Sequence, residues 1–244
     1  MASVVLCYEN GIHIDGVITA EIMFSHEKNI SAEHPRHIEW FYNIAKPTIE
    51  NKFGYEVTVL KSPLDYVTLF NKRIERSKFP ERIGKKWGFV LGGNACYLKR
   101  DLKTRVIERW SKSQGEYEKI IGIAADEQKR LDSLYKQKNA RSVLDEYGIV
   151  EAQTYGIDRK YDLLSPFYSM GRKRQGCWFC PNCSLDELAA FAKEYPEYWD
   201  ELRELSKCED SVSKYFQYNR TFEQIDRVIT GMNNQLSIFD MGCF

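Results

Sequence analysis

The chain has 244 residues, 43% of them hydrophobic and 14% aromatic, with 35 Lys and Arg against 35 Asp and Glu. That composition sustains a sizeable core and excludes disorder as a whole-chain description, and zero formal net charge excludes a global electrostatic footprint for nucleic acid or membrane surfaces. No apolar run approaches the roughly 18 residues of a membrane span, and the N-terminus lacks a secretion signal, so a cytosolic protein without a membrane partner is expected.

Charge is nevertheless uneven along the chain. From Lys72 to Lys86 seven basic residues face two acidic ones, Arg172, Lys173 and Arg174 are consecutive, and Asp186 to Asp210 holds nine acidic residues against three basic.

Ser3 to Asn10, stopped by Gly11, reads as a short apolar helix feeding into a strand at Gly16 to Phe24. His34 and Pro35 open a helix whose apolar positions, Ile38, Phe41, Ile44, Ala45 and Ile49, recur at helical spacing until Gly54. Tyr55 to Leu60 is a second strand, and Leu64, Val67, Leu69 and Phe70 a short helix. A basic, glycine-bearing loop through Gly84, Gly88, Gly92 and Gly93 leads to a helix over Leu98 to Trp110. Lys119 to Ala124 is a third strand, followed by a helix with Leu131 and Leu134. This alternation predicts an α/β fold with a mostly parallel open sheet and flanking helices over residues 1–140.

Beyond about Arg141 the pattern changes to short helices. Ser184 and Glu187 form a capping-box signature, and Pro196 opens a helix whose inner face is Trp199, Leu202 and Leu205. Residues 141–234 are therefore expected to form a helical module, followed by a tail at 235–244.

The strongest chemical signal is Cys177-Trp178-Phe179-Cys180-Pro181-Asn182-Cys183. Two-residue gaps let three thiolates converge on one soft metal, which an odd total of seven cysteines in a reducing compartment also favours over disulfides. Three local cysteines and one remote suit a 4Fe-4S cluster, with zinc the alternative. Cys208 is one source of the fourth thiolate and Cys96 the other. Lys99, Arg100, Lys103 and Arg105 form a basic helix segment on which Lys99 and Lys103 face one way, suited to phosphate or sulfate or simply to solvent. Asp126 and Glu127 end the third strand, where they could order a nucleotide or magnesium, and Asp126 could equally be a plain N-cap. Glu21 lies inside a strand pattern and is a candidate for the nucleotide pocket. His26, His34 and His37 show no ligand geometry and read as surface or capping groups. Arg172, Lys173 and Arg174 could clamp a nucleic-acid backbone.

GIHIDGVITAEIMF, GNACYLKRDLKTRVIERW, IIGIAADEQKRL, LDEYGIVEAQTYGIDRKYDLLSPFY and GCWFCPNCSLDELAAF together resemble the phosphoadenosine phosphosulfate reductase family, within the adenine nucleotide alpha hydrolase-like (PP-loop ATP pyrophosphatase) superfamily, especially its bacterial and phage-borne members. The resemblance implies an adenine nucleotide at the carboxyl ends of parallel strands, and either sulfonucleotide reduction or ATP-driven sulfur insertion into nucleic acid. It also makes Cys96 the first choice of fourth ligand. The family's pyrophosphate loop precedes its first helix, whereas this sequence starts at Met1-Ala2-Ser3 where that loop would be ending; Gly92-Gly93-Asn94 is the nearest substitute. Ala124 stands where relatives tend to carry an arginine. The expectation is either a chain lacking a native N-terminal segment or a natural binding protein with a dead nucleotide site. Cys243 is the only candidate for a mobile redox thiol, but nothing local lowers its pKa and it reads rather as an incidental tail cysteine. Gln235 to Asp240 (QLSIFD) resembles the short peptide by which bacterial replication proteins dock on the sliding clamp; the alternative is a tail stapled to its own domain.

Overall fold

The computed structural model describes residues 1–90, 96–169 and 176–240, with side chains described as far as residue 234. The fold is mixed α/β. The chain divides into two compact units, each drawn from stretches before and after residue 140. The first comprises residues 1–20, 35–60 and 105–175, and the second residues 21–34, 61–104 and 176–244.

The single open parallel sheet expected from the sequence is not seen among the described residues, where strands pair two by two. Hydrogen bonding explains the difference. The Gly16 to Phe24 run breaks at Ile22, whose carbonyl accepts Ala32 N–H at 2.8 Å. Val17–Glu21 therefore pairs with Val57–Lys61, while Met23–Ser25 turns to pair antiparallel with Ile30–Ser31. In the third strand only Lys119–Ile120 pairs regularly, in parallel with Ala140–Arg141. Ile123 N–H then donates to Ile121 O at 2.9 Å, and this tight turn takes the chain out of the ladder. A further parallel pair, Lys86–Gly88 with Ser211–Ser213, was not anticipated in the basic loop.

In the first unit the helix Ala2–Glu9 ends before Gly11, whose φ of +62° suits glycine. Pro35 opens a helix that runs as Pro35–Trp40 and then widens into π-turns at Phe41–Ala45 and Thr48–Lys52. Its buried residues Trp40, Phe41, Ala45 and Ile49 pack with Val5, Phe53, Val57 and Leu163. His37 is buried there, stacked on Phe167 and within 3.1 Å of Ser165 Oγ, which corrects its reading as a surface group.

Asp158, near the C-terminal end of the helix Glu151–Arg159, is a built-in cost of this unit. One carboxylate oxygen is buried without a hydrogen bond, and burial pushes the carboxyl up to about 6, against the pull of the Met1 ammonium. Folded Asp158 thus holds its proton at pH values where the unfolded chain has lost it. Stability is full below about pH 4, falls as pH rises toward 6, and is flat above. Asp158→Asn is expected to add about 1–2 kcal/mol at pH 7, after allowance for partial exposure, and nothing at pH 3.5. Urea unfolding of both proteins at the two pH values checks this, and an equal gain at both would contradict it.

The second unit has the larger core. Phe24, Tyr66, Phe70, Phe89, Trp178, Phe179, Phe191, Trp199, Phe216 and Phe222 form one aromatic-rich cluster. Ser184 Oγ accepts Glu187 N–H at 3.2 Å and Glu187 returns the bond to Ser184 N–H at 2.8 Å, so the capping box forms as the sequence indicates and starts the helix Leu185–Glu194. Pro196–Ser206 follows with Trp199 and Leu202 buried. His34 is buried against the rings of Phe191 and Tyr195, again correcting a surface reading. The last helix, Phe222–Asp240, carries helical backbone through residues 235–240 of the stretch expected to be a tail.

Candidate metal and anion site

The cysteine loop is built on backbone bonds that wind it into two successive turns. Cys180 N–H donates to Cys177 O at 3.0 Å, and Cys183 N–H donates to Cys180 O at 2.9 Å. Three anchors fix this loop. Cys177 bridges Glu33 in antiparallel fashion, and Trp178 N–H donates to Ala32 O at 3.0 Å. The Trp178 indole N–H donates to Ser31 O at 2.9 Å. Buried Gln217 donates its amide to Pro181 O at 3.1 Å and Cys183 O at 2.6 Å.

No disulfide joins the cysteines among the described residues, and Cys96, Cys177, Cys180 and Cys183 are all half-buried. Cys177 lies in the field of Cys180, Glu33 and Cys96. Burial first, and then those neighbours, push its thiol far above its ordinary value, with Lys103 pulling the other way. The phenol of buried Tyr66 senses both Cys177 and Cys96. Glu33 is likewise pushed up, chiefly by burial and also by Glu21, while Lys103 opposes. Cys96, Cys177, Cys180, Glu33, Glu21 and Lys103 thus share one electrostatic neighbourhood within the second unit. The donor chemistry is that of a soft-metal site. Among the described residues no three His, Cys, Asp or Glu side chains stand closed in a metal-holding arrangement.

The other expected site residues divide. Glu21 is buried and paired with Lys61 Nζ at 3.1 Å. Lys99 and Lys103 lie on a π-turn, Lys99–Thr104, where an α-helix was expected; Lys103 is half-buried and faces the acids, whereas Lys99 is exposed. Asp126 accepts Glu151 N–H at 3.0 Å and so holds the start of the helix Glu151–Arg159, not that of the helix immediately after it. Glu127 accepts Ala124 N–H at 3.1 Å and pairs with Arg130. These last two belong to the first unit. The Cys208 thiol lies 3.2 Å from Asp210 Oδ1, with Lys86 nearby.

Sequence reasoning missed Glu33 and Gln217. Neither carries a sequence signal: the burial of Ala32 and His34 on either side of Glu33 is seen only in the structure, and Gln217 stands in an aromatic hairpin beside buried Phe216. Arg172, Lys173 and Arg174, Gly92-Gly93-Asn94 and Cys243 lie outside the described residues. No helix among the described residues is long and apolar enough to cross a membrane. Set against protein-family models, curated proteins and solved structures, the chain finds no match in any of the three.

Proposed function

We propose that this chain is a phosphoadenosine phosphosulfate reductase-like protein, in which Cys96, Cys177, Cys180 and Cys183 hold a 4Fe-4S cluster or a zinc ion. Its substrate class is an adenine nucleotide or sulfonucleotide, in sulfonucleotide reduction or in ATP-dependent sulfur chemistry on nucleic acid. The observation that carries the metal reading is that Cys96, remote in sequence, packs against the same aromatic core as Cys177 and Cys183 and acts on the Cys177 thiol. Four thiolates bring four negative charges, and a metal supplies the compensating charge that Lys103 alone does not. Bound metal would hold the thiolates deprotonated and join the loop to the segment before Lys99. Lys103, whose charge acts on both Glu33 and Cys177, is a group suited to an anionic ligand there.

A binding or regulatory role on the same scaffold is the second reading. It is favoured by Asp126 and Glu127, whose carboxylates are taken up by backbone N–H groups and Arg130, and by the burial of Ala124 at the position where an anion-meeting arginine was expected.

Anaerobic purification followed by metal and sulfide analysis tests the site. The expected result is about four irons and four sulfides per chain, or about one zinc. Cys96→Ser should lose the metal and Cys208→Ser should keep it. Absence of both metals, or loss with Cys208→Ser and not with Cys96→Ser, would overturn the assignment. Titration of the purified chain with ATP and with a sulfonucleotide separates the nucleotide reading from the metal one.

A further inference from the structure

We propose that the arm Lys72–Trp87 of the second unit is a docking site for single-stranded nucleic acid. The proposal uses none of Arg172, Lys173 and Arg174, and it does not depend on the metal reading.

The arm is ordered by its own backbone. Arg73 and Lys86 form an antiparallel bridge, and Ile74 N–H donates to Lys85 O at 2.9 Å. Gly84 N–H donates to Ile74 O at 2.9 Å, and Trp87 N–H donates to Lys72 O at 3.1 Å. Ile74 is buried and anchors the base, and Lys86–Gly88 continues into the parallel pairing with Ser211–Ser213. Between these fixed ends, residues 75–83 run over the surface, with a tight turn at Pro80–Arg82.

What this frame displays is unusual for a loop. Phe79 is 51% exposed, Ile83 50% and Trp87 44%, so two aromatic rings and an aliphatic side chain are left in water on a segment held in one shape. The Arg82 guanidinium lies 4.2 Å from the Phe79 ring centroid, making a flat cation–ring pair. Arg73 is committed to Asp210 at 2.9 Å, with Lys86 at 3.8 Å from the same carboxylate, so these two brace the base. Lys72, Arg76, Lys78 and Lys85 are exposed and make no ion pair among the described residues. The opposing acids on the arm are Glu75 and Glu81.

Unpaired cations interleaved with exposed rings are the pattern that grips a phosphate chain while bases stack. A duplex keeps its bases inside and offers the rings nothing, so a single strand is the better fit. An acidic peptide would use the cations and leave Phe79 and Trp87 idle. Pre-ordering matters because a loop already fixed loses little conformational entropy on binding.

The test uses the full 244-residue chain, a fluorescein-labelled oligo-dT of about 20 nucleotides, the matching duplex, and phosphatidylserine vesicles, over a range of KCl. The expected results are tighter binding to the single strand than to the duplex, with quenching of Trp87 emission. Arg76→Gln/Lys78→Gln/Lys85→Gln should weaken binding at least about tenfold and lower the salt slope by about 2, since each lost phosphate contact removes about 0.7. Phe79→Ala should weaken single-strand binding about tenfold and leave the salt slope unchanged. All the substituted residues are exposed, so thermal midpoints should stay at the parent value; Lys78→Gln alone, with about a threefold loss, serves if the triple variant does not. Failure of the parent chain to bind the oligonucleotide at about 100 mM KCl overturns the proposal. So does preference for the duplex, binding to vesicles without binding to the strand, or full binding by the triple variant.

Discussion

Trp178→Ala is expected to cost the second unit about 3–5 kcal/mol and to loosen the cysteine loop in the same stroke. The indole is 2% exposed and sits between Phe24, Phe179 and Phe191 at centroid separations of 5.0, 4.8 and 4.8 Å, stacked flat on the last. Truncation therefore leaves a cavity that four rigid aromatic neighbours, Tyr198 included, cannot refill. It also strands the Ser31 carbonyl, which accepts the indole N–H. Because Cys177 and Cys180 flank the Trp178–Phe179 pair, the rings that fill the core are the same ones that fix where the thiols point. Urea unfolding should show the lost stability, and alkylation of Cys177 by a small maleimide should become markedly faster. Trp178→Phe, which retains a flat ring on Phe191, should recover more than half of the loss. A parent-like unfolding midpoint for Trp178→Ala would contradict this account.

How far the sequence could be read depended on how local the cause was. The capping box at Ser184 and Glu187 and the Pro196 helix start form as expected, because each is decided within four residues. The sheet was harder. KIIGIA has the composition of a buried strand, and Ile121 N–H still bonds Arg141 O, but what removes Gly122 to Ala124 from the ladder is a turn bond and the reach of Glu127 back to Ala124 N–H. The segregation of Lys103 from Lys99 has the same character. Helical spacing put both on one face, and only the π-turn and the half-buried acid Glu33 separate the half-buried lysine from the exposed one. His34 and His37 read as surface or capping groups because no third ligand stands near them in sequence; Phe191, Tyr195 and Phe167, which help to enclose them, come from more than a hundred positions away. The cysteine loop is local in the same sense as the capping box, since its two turns are closed by bonds from Cys180 N–H to Cys177 O and from Cys183 N–H to Cys180 O.

Gly88→Ala is expected to destabilise the second unit by at least about 3 kcal/mol, a large effect for the addition of one methyl group. Two costs add. Gly88 has a φ of +79°, a left-handed conformation that an alanine pays about 1–2 kcal/mol to adopt. The new Cβ would also stand 2.5 Å from the Ser213 carbonyl oxygen and 2.8 Å from Ser211 Cβ, and the first of these is backbone that cannot rotate aside. Relief requires Lys86–Gly88 to move away from Ser211–Ser213, which breaks the parallel pairing and the bond from Phe89 N–H to Ser213 O. Phe89 is buried against Phe70, Phe216 and Phe222, so the movement is passed directly to the aromatic core. At the other end of the strand it frees the base of the Lys72–Trp87 arm. Hydrogen exchange should therefore quicken at Phe89 and at Ile74 together, and the urea midpoint should fall. Gly84, with a similar φ of +80° but open space around its missing side chain, is the control: Gly84→Ala should cost only the backbone term, about 1–2 kcal/mol. Equal losses for the two substitutions would show that backbone conformation alone, and not the close approach of the two strands, makes glycine necessary at position 88.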